Sequence, residues 1–141
     1  MLIGKPKRHR RLGLLQHKRN GQAGFGMRPS LLQGVQLVSA DASIHDVDIW
    51  FRKNGSDVTE SNSQFSVPSK HGAINGHLLG ALNFYIDLAA GDNVEIMWST
   101  SSSNATIQYI GPQTSPTRPG TPSAIVTMAL AAPPQLQGTY T

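Results

Sequence analysis

No cysteine occurs among the 141 residues, which excludes a disulfide framework, a thiol nucleophile and a cysteine-ligated zinc site. Long apolar runs are missing too. Nothing approaches the roughly 20 residues that a membrane-spanning helix needs, so no membrane partner is expected. Acidic residues are absent from the whole stretch before Asp41. Glycine (14) and proline (9) are plentiful instead, a balance that suits a turn-rich β protein better than a helical one. The length allows one domain with a tail.

The charge is divided unevenly. Lys5, Lys7, Arg8, Arg10, Arg11, Lys18, Arg19 and Arg28 supply 8 of the 12 basic residues, so residues 1–36 carry +8. The remainder holds four basic and eight acidic residues, a balance of −4. The high isoelectric point therefore belongs to the N-terminal segment, and the rest of the chain is mildly acidic. Six glycines from Gly4 to Gly34 interrupt any helical period in that segment, each costing up to about 1 kcal/mol relative to alanine. Residues 1–34 are expected to form an irregular basic arm, residues 35–131 a β domain, and residues 132–141 a flexible tail.

Within the domain the pattern is alternation. A strand is expected from about Val35, with Val35, Leu37 and Ser39 on one face. Val47, Ile49 and Phe51 then share a face, opposite Asp46, Asp48, Trp50 and Arg52. Asn54-Gly55 supplies the positive φ angles of a tight hairpin turn. A short strand at 65–67 is stopped by Pro68. The next strand spans 78–88 and buries Leu82, Phe84, Ile86 and Leu88. After the turn at 90–93, Val94, Ile96 and Trp98 alternate with Glu95, Met97 and Ser99. A short strand at 105–110, a link with four prolines at 111–122 and a last strand at 124–130 complete six or seven strands, the signature of a sandwich or jelly roll.

The order of these features resembles a known family. A Trp50 to Gly55 stretch ending in Lys-Asn-Gly, then Leu88-Ala-Ala-Gly-Asp-Asn-Val94 running into Ile96 and Trp98, is similar to the trimeric jelly-roll heads shared by the complement globular domain and the tumour necrosis factor family. Ser66-Val-Pro-Ser-Lys70, Asp57-Val58 and Pro122-Ser123 look most like the variant found in bacteriophage virion proteins. The resemblance covers about residues 36–131 and departs at the front, where a basic segment stands in place of the family's first aromatic strands, either as a replacement for them or because they are missing from this chain. It implies an all-β antiparallel jelly-roll sandwich, assembled as a homotrimer.

Reaction chemistry is not evident. Asp46 and Asp48 share a strand face but lack an apolar pocket to raise either pKa. His45, His71 and His77 follow no metal-ligand spacing. There is no Gly-x-Ser-x-Gly elbow and no phosphate-binding Gly-Lys-Ser/Thr loop. The sequons at Asn54 and Asn104 read as incidental. Neither an enzyme nor a cofactor is expected. Trp50 is a different matter, because alternation points it away from the core and a tryptophan covers roughly 150–250 Å² when buried. In the resembled family this sheet packs about the three-fold axis, which implies Trp50 and Met97 as trimer-interface residues; the other reading is that the arm folds back over Trp50.

The basic arm admits an electrostatic anchor on nucleic acid or an acidic capsid surface through Lys5, Lys7, Arg8, Arg10, Arg11, Lys18 and Arg19, a targeting role, or no role. The combined expectation is a non-enzymatic structural or accessory virion protein of a tailed bacteriophage, a capsid decoration or a tail or fibre component. Its partners would be copies of itself and other virion proteins, with loops 59–77 and 99–104 as contact surfaces. Nucleic acid would be met only through the arm. The alternative is a head module binding a host-surface receptor or glycan.

Overall fold

The computed structural model describes residues 10–16 and 28–131, with no helix among them. The strands in chain order are β1 (Arg10–Gln16), β2 (Arg28–Ser39), β3 (His45–Lys53), β4 (Ser56–Asp57), β5 (Ser63–Val67) and β6 (Gly76–Tyr85). They continue as β7 (Asn93–Thr100), β8 (Ala105–Ile107), β9 (Gln113–Thr114), β10 (Thr117–Arg118) and β11 (Ala124–Ala131). The chain is all-β, and every pairing among the described residues is antiparallel.

Two sheets carry the architecture. In the front sheet the order is β1-β7-β3-β4, with β5 also on β3. In the back sheet β2 is central, with β6 on one side and β11 and β8 on the other. Their inner faces share one core. Val47, Ile49, Phe51, Val94 and Ile96 come from the front; Leu31, Val35, Leu37 and Ala105 come from the back. Each large aliphatic side chain there contributes roughly 1.5–3 kcal/mol by leaving water. Phe51 stacks on Phe84 across the layers at a centroid separation of 5.1 Å.

The core positions are those that alternation selects, including Val35, Leu37 and Ser39 on β2 and Ile86 and Leu88 after β6. Gln33 is the exception. It sits on the inner face of β2 between Leu31 and Val35 and is 1% exposed. Neither its Oε1 nor its Nε2 has a hydrogen-bond partner among the described residues.

The expected irregular arm is corrected in two places. Arg10–Gln16 is a strand paired with β7, and β2 begins at Arg28 rather than near Val35. Local periodicity is weak here because the pairing is long-range: β7 offers β1 an edge from residues about 80 positions away. The register slips between Arg11 and Gly13, a bulge of the kind that absorbs an irregular stretch. The basic residues Lys5, Lys7, Arg8, Lys18 and Arg19 and the expected tail at 132–141 lie outside the described residues. The proline-rich link also contains the small β9–β10 hairpin.

One side of the sandwich is closed by the approach of β5 to β6. Gly76 at the start of β6 lies so close to the chain at Pro68 and Ser69 that a Cβ there would overlap their backbone atoms. Gly80 faces Leu37 and Phe65 at ordinary van der Waals distance.

Candidate functional site

The two sheets present very different outer faces. The front face holds Asp46, Asp48, Trp50 and Arg52 of β3 beside Glu95, Met97 and Ser99 of β7. Its charges are tied together by ion pairs and hydrogen bonds. Arg11 Nη1 meets Glu95 Oε1 at 2.9 Å, and Arg52 Nε meets Asp57 Oδ1 at 2.7 Å. Trp50 Nε1 also donates to Asp57 Oδ1, at 3.0 Å. Asp48 accepts from Asn62 and Gln64, and Asp46 from Ser66 at 2.7 Å.

Trp50 therefore lies outside the core, half-buried, with its indole N–H satisfied. Met97, opposite both Trp50 and Arg11 in the ladder, is only 6% exposed. Met97, expected with Trp50 at an interface, lies between β1 and β3 with little exposed surface in the single chain. Next to Trp50 is a shallow depression of about 400 Å³. It is lined by Asp48, Trp50, Asp57, Val58, Glu60, Asn62 and Ser99. Its lining combines an indole with carboxylates, an amide and a hydroxyl, groups that can contact a polyhydroxylated ligand.

At one end of this sheet the two sequence-defined turns meet. Lys53 pairs with Val94, which sets the 53–55 turn against the 89–93 turn. Asn54 (φ 48°), Gly55 (φ 83°) and Gly91 (φ 92°) adopt the left-handed conformations these turns require. Asp92 accepts from Asn54 Nδ2 at 2.7 Å, from the Ala89 N–H at 2.7 Å and from Lys53 Nζ at 2.9 Å. Asn54 Oδ1 accepts the Asn93 N–H at 3.0 Å. The Lys53 ammonium, with Asn54 and the Ala89 N–H, holds the Asp92 carboxyl well below the ordinary carboxylate range.

At the opposite end Asp41 and His45 form a second tie. His45 Nε2 lies 2.8 Å from Asp41 Oδ2, which also accepts from Asn104 Nδ2 at 3.1 Å. His45, then Asn104 and the Ala42 N–H, lower the Asp41 pKa from 3.8 to about 2. These groups pin the β2–β3 connection to the β7–β8 loop. His71 and His77 are exposed and stand apart. Among the described residues no three His, Asp or Glu side chains are grouped to hold a metal ion.

Among the described residues, the middle of the back face carries no aspartate, glutamate, lysine or arginine. Across β6, β2 and β11 it presents His77, Leu79, Ala81, Asn83 and Tyr85, then Gly34 and Gln36, then Ile125, Thr127 and Ala129. Leu79, Tyr85 and Ile125 are 60%, 61% and 58% exposed. Gly34 and Ala81, the small residues of this face, are paired in the β2–β6 ladder. Sequence reasoning missed this surface, although β6 announces it by having apolar residues at both parities. Comparison with protein-family models, curated proteins and solved structures finds no match for the chain.

Proposed function

We propose that this chain is a non-catalytic β head that works by assembly, as a homotrimeric jelly-roll protein serving as a structural or accessory component of a tailed-phage virion. The observation that carries the assembly reading is the apolar middle of the back sheet's outer face. Exposed apolar surface of this kind, rimmed by polar residues, marks interaction sites. A domain of this size also gains by covering sheet surface that it cannot bury alone. The virion setting rests on the sequence resemblance to phage jelly-roll heads.

Sedimentation equilibrium tests the assembly. The expected result is a species containing a multiple of three 15.2 kDa chains, weakened by Leu79→Arg or Tyr85→Arg. A monomer at high micromolar concentration would remove the reading. Mass spectrometry of purified particles tests the virion setting.

The Trp50 depression favours a second reading, a head that binds a host glycan. A glycan array showing hits that Trp50→Ala abolishes would establish it; an array without hits would leave the assembly reading ahead.

A further inference from the structure

Exposed sheet edges invite pairing with other chains, and folded proteins defend them with charge, bulges, brevity or cover. Most edges of this sandwich are defended. β1 carries exposed Arg10 and Arg11 and a break in register. β4 has two residues and β8 three. β5 and β6 close on each other at the corner marked by Gly76 and Pro68.

Two edges of the back sheet carry no charge or proline: β6, which is covered where its start meets Pro68 and Ser69, and β11. The β11 strand runs for eight residues, Ala-Ile-Val-Thr-Met-Ala-Leu-Ala. Its register on β2 is unbroken from Ala124 to Ala131, and among the described residues no strand lies on its other side. Ile125 and Val126 are 58% and 37% exposed.

We propose that β11 pairs antiparallel with β11 of a second copy, about a two-fold axis through Thr127. Directly opposed residues in an antiparallel pair lie on the same face, so this register sets Thr127 against the partner's Thr127. Ile125 then meets the partner's Ala129, and Val126 meets the partner's Met128. Large faces small on the outer side, twice by symmetry, and a threonine pair at the axis is a favourable cross-strand contact.

The absence of charge, together with the self-complementary register, suits a second copy as the occupant. A two-fold contact brings each residue near its own equivalent, so any charge near the middle of β11 would meet its like. The pairing satisfies the outward N–H and C=O groups of β11. It also joins β6-β2-β11 of both copies into one continuous sheet, merging their apolar outer faces. The inference rests on the assembly reading only in taking the partner to be another copy. Its symmetry is two-fold, so it stands or falls separately from the three-fold proposal.

The test uses the full chain with Thr127→Lys and Thr127→Cys. The protein has no cysteine of its own, and opposed Cα atoms about 4.5–5.5 Å apart suit a disulfide. Wild type is expected to sediment with an even number of chains, Thr127→Lys to halve that mass, and oxidised Thr127→Cys to run as a covalent dimer. A trimer unchanged by Thr127→Lys would overturn the pairing while sparing the three-fold reading. A dimer that becomes a monomer would support the pairing and remove the three-fold reading. A hexamer that becomes a trimer would support both, and a wild-type monomer would overturn both. Should Thr127→Lys fail to fold, folded Thr127→Cys that yields no dimer on oxidation would still overturn the pairing.

Discussion

Gln33 occupies a core position with an amide that has no hydrogen-bond partner among the described residues. Leaving a buried polar group unsatisfied costs roughly 1–3 kcal/mol, and replacing it with an apolar group of similar shape removes the cost. Methionine matches the length and flexibility of glutamine. Gln33→Met is therefore expected to raise stability by about 1 kcal/mol or more, seen as a higher urea midpoint with an unchanged slope. Asp41 offers a second residue-scale test, through pH. Its carboxyl titrates near 2 when folded against an ordinary 3.8, so across that interval the folded chain binds fewer protons than the unfolded one. The stabilisation is complete above the upper value, declines as pH falls between the two, and is gone below the lower. Asp41→Asn should lower the thermal midpoint at pH 6, and the gap from wild type should shrink as pH drops from about 4 to about 2.

Among elements, the close approach of the β5–β6 connection gives the sharpest prediction. Gly76→Ala forces a Cβ into the backbone at Pro68 and should cost more than about 3 kcal/mol in chemical denaturation. Gly34→Ala adds a Cβ 3.8 Å from Leu79 Cδ1, an ordinary separation, and should stay within about 1 kcal/mol of wild type. What the sequence made legible divides along the same line. β3 and β7 were readable because Val47, Ile49, Phe51, Val94 and Ile96 alternate with polar residues, and Asn54-Gly55 and Gly91 mark their turns. β1 was not, because its strand character comes from pairing with β7 rather than from its own pattern. The bond between Asn54 and Asp92 was equally hidden: each residue explains its own turn, and only the β3–β7 register brings them together. Leu79, Tyr85 and Ile125 were visible as apolar residues, but alternation assigns the core only one parity and is silent about the other.

For the whole molecule, charge is arranged by region. Residues 1–36 hold +8 and the remainder −4, while the middle of the back face holds none. Any binding of nucleic acid should therefore run through the N-terminal segment and be strongly salt-dependent. Replacing Lys5, Lys7 and Arg8 with alanine is expected to lower the slope of log affinity against log salt by about 0.9 for each duplex phosphate that those side chains neutralise. Fluorescence anisotropy with a short duplex reads this directly, and an unchanged slope would exclude those three residues from the nucleic-acid interface.

The junction of the two turns has a chemical consequence as well. Asn-Gly is the dipeptide most prone to deamidation, in which the glycine nitrogen attacks the asparagine Cγ and ammonia leaves through a succinimide. At Asn54 the carboxamide is held at both ends, by Asp92 and by the Asn93 N–H, which restrains the rotation that attack requires. Once the amide is gone, the new carboxylate would face Asp92 where a donor used to be, and the turns would repel. The fold thus restrains deamidation at Asn54, one of three Asn-Gly dipeptides in the sequence, and the aspartate or isoaspartate left at that position would mark molecules that have spent time unfolded.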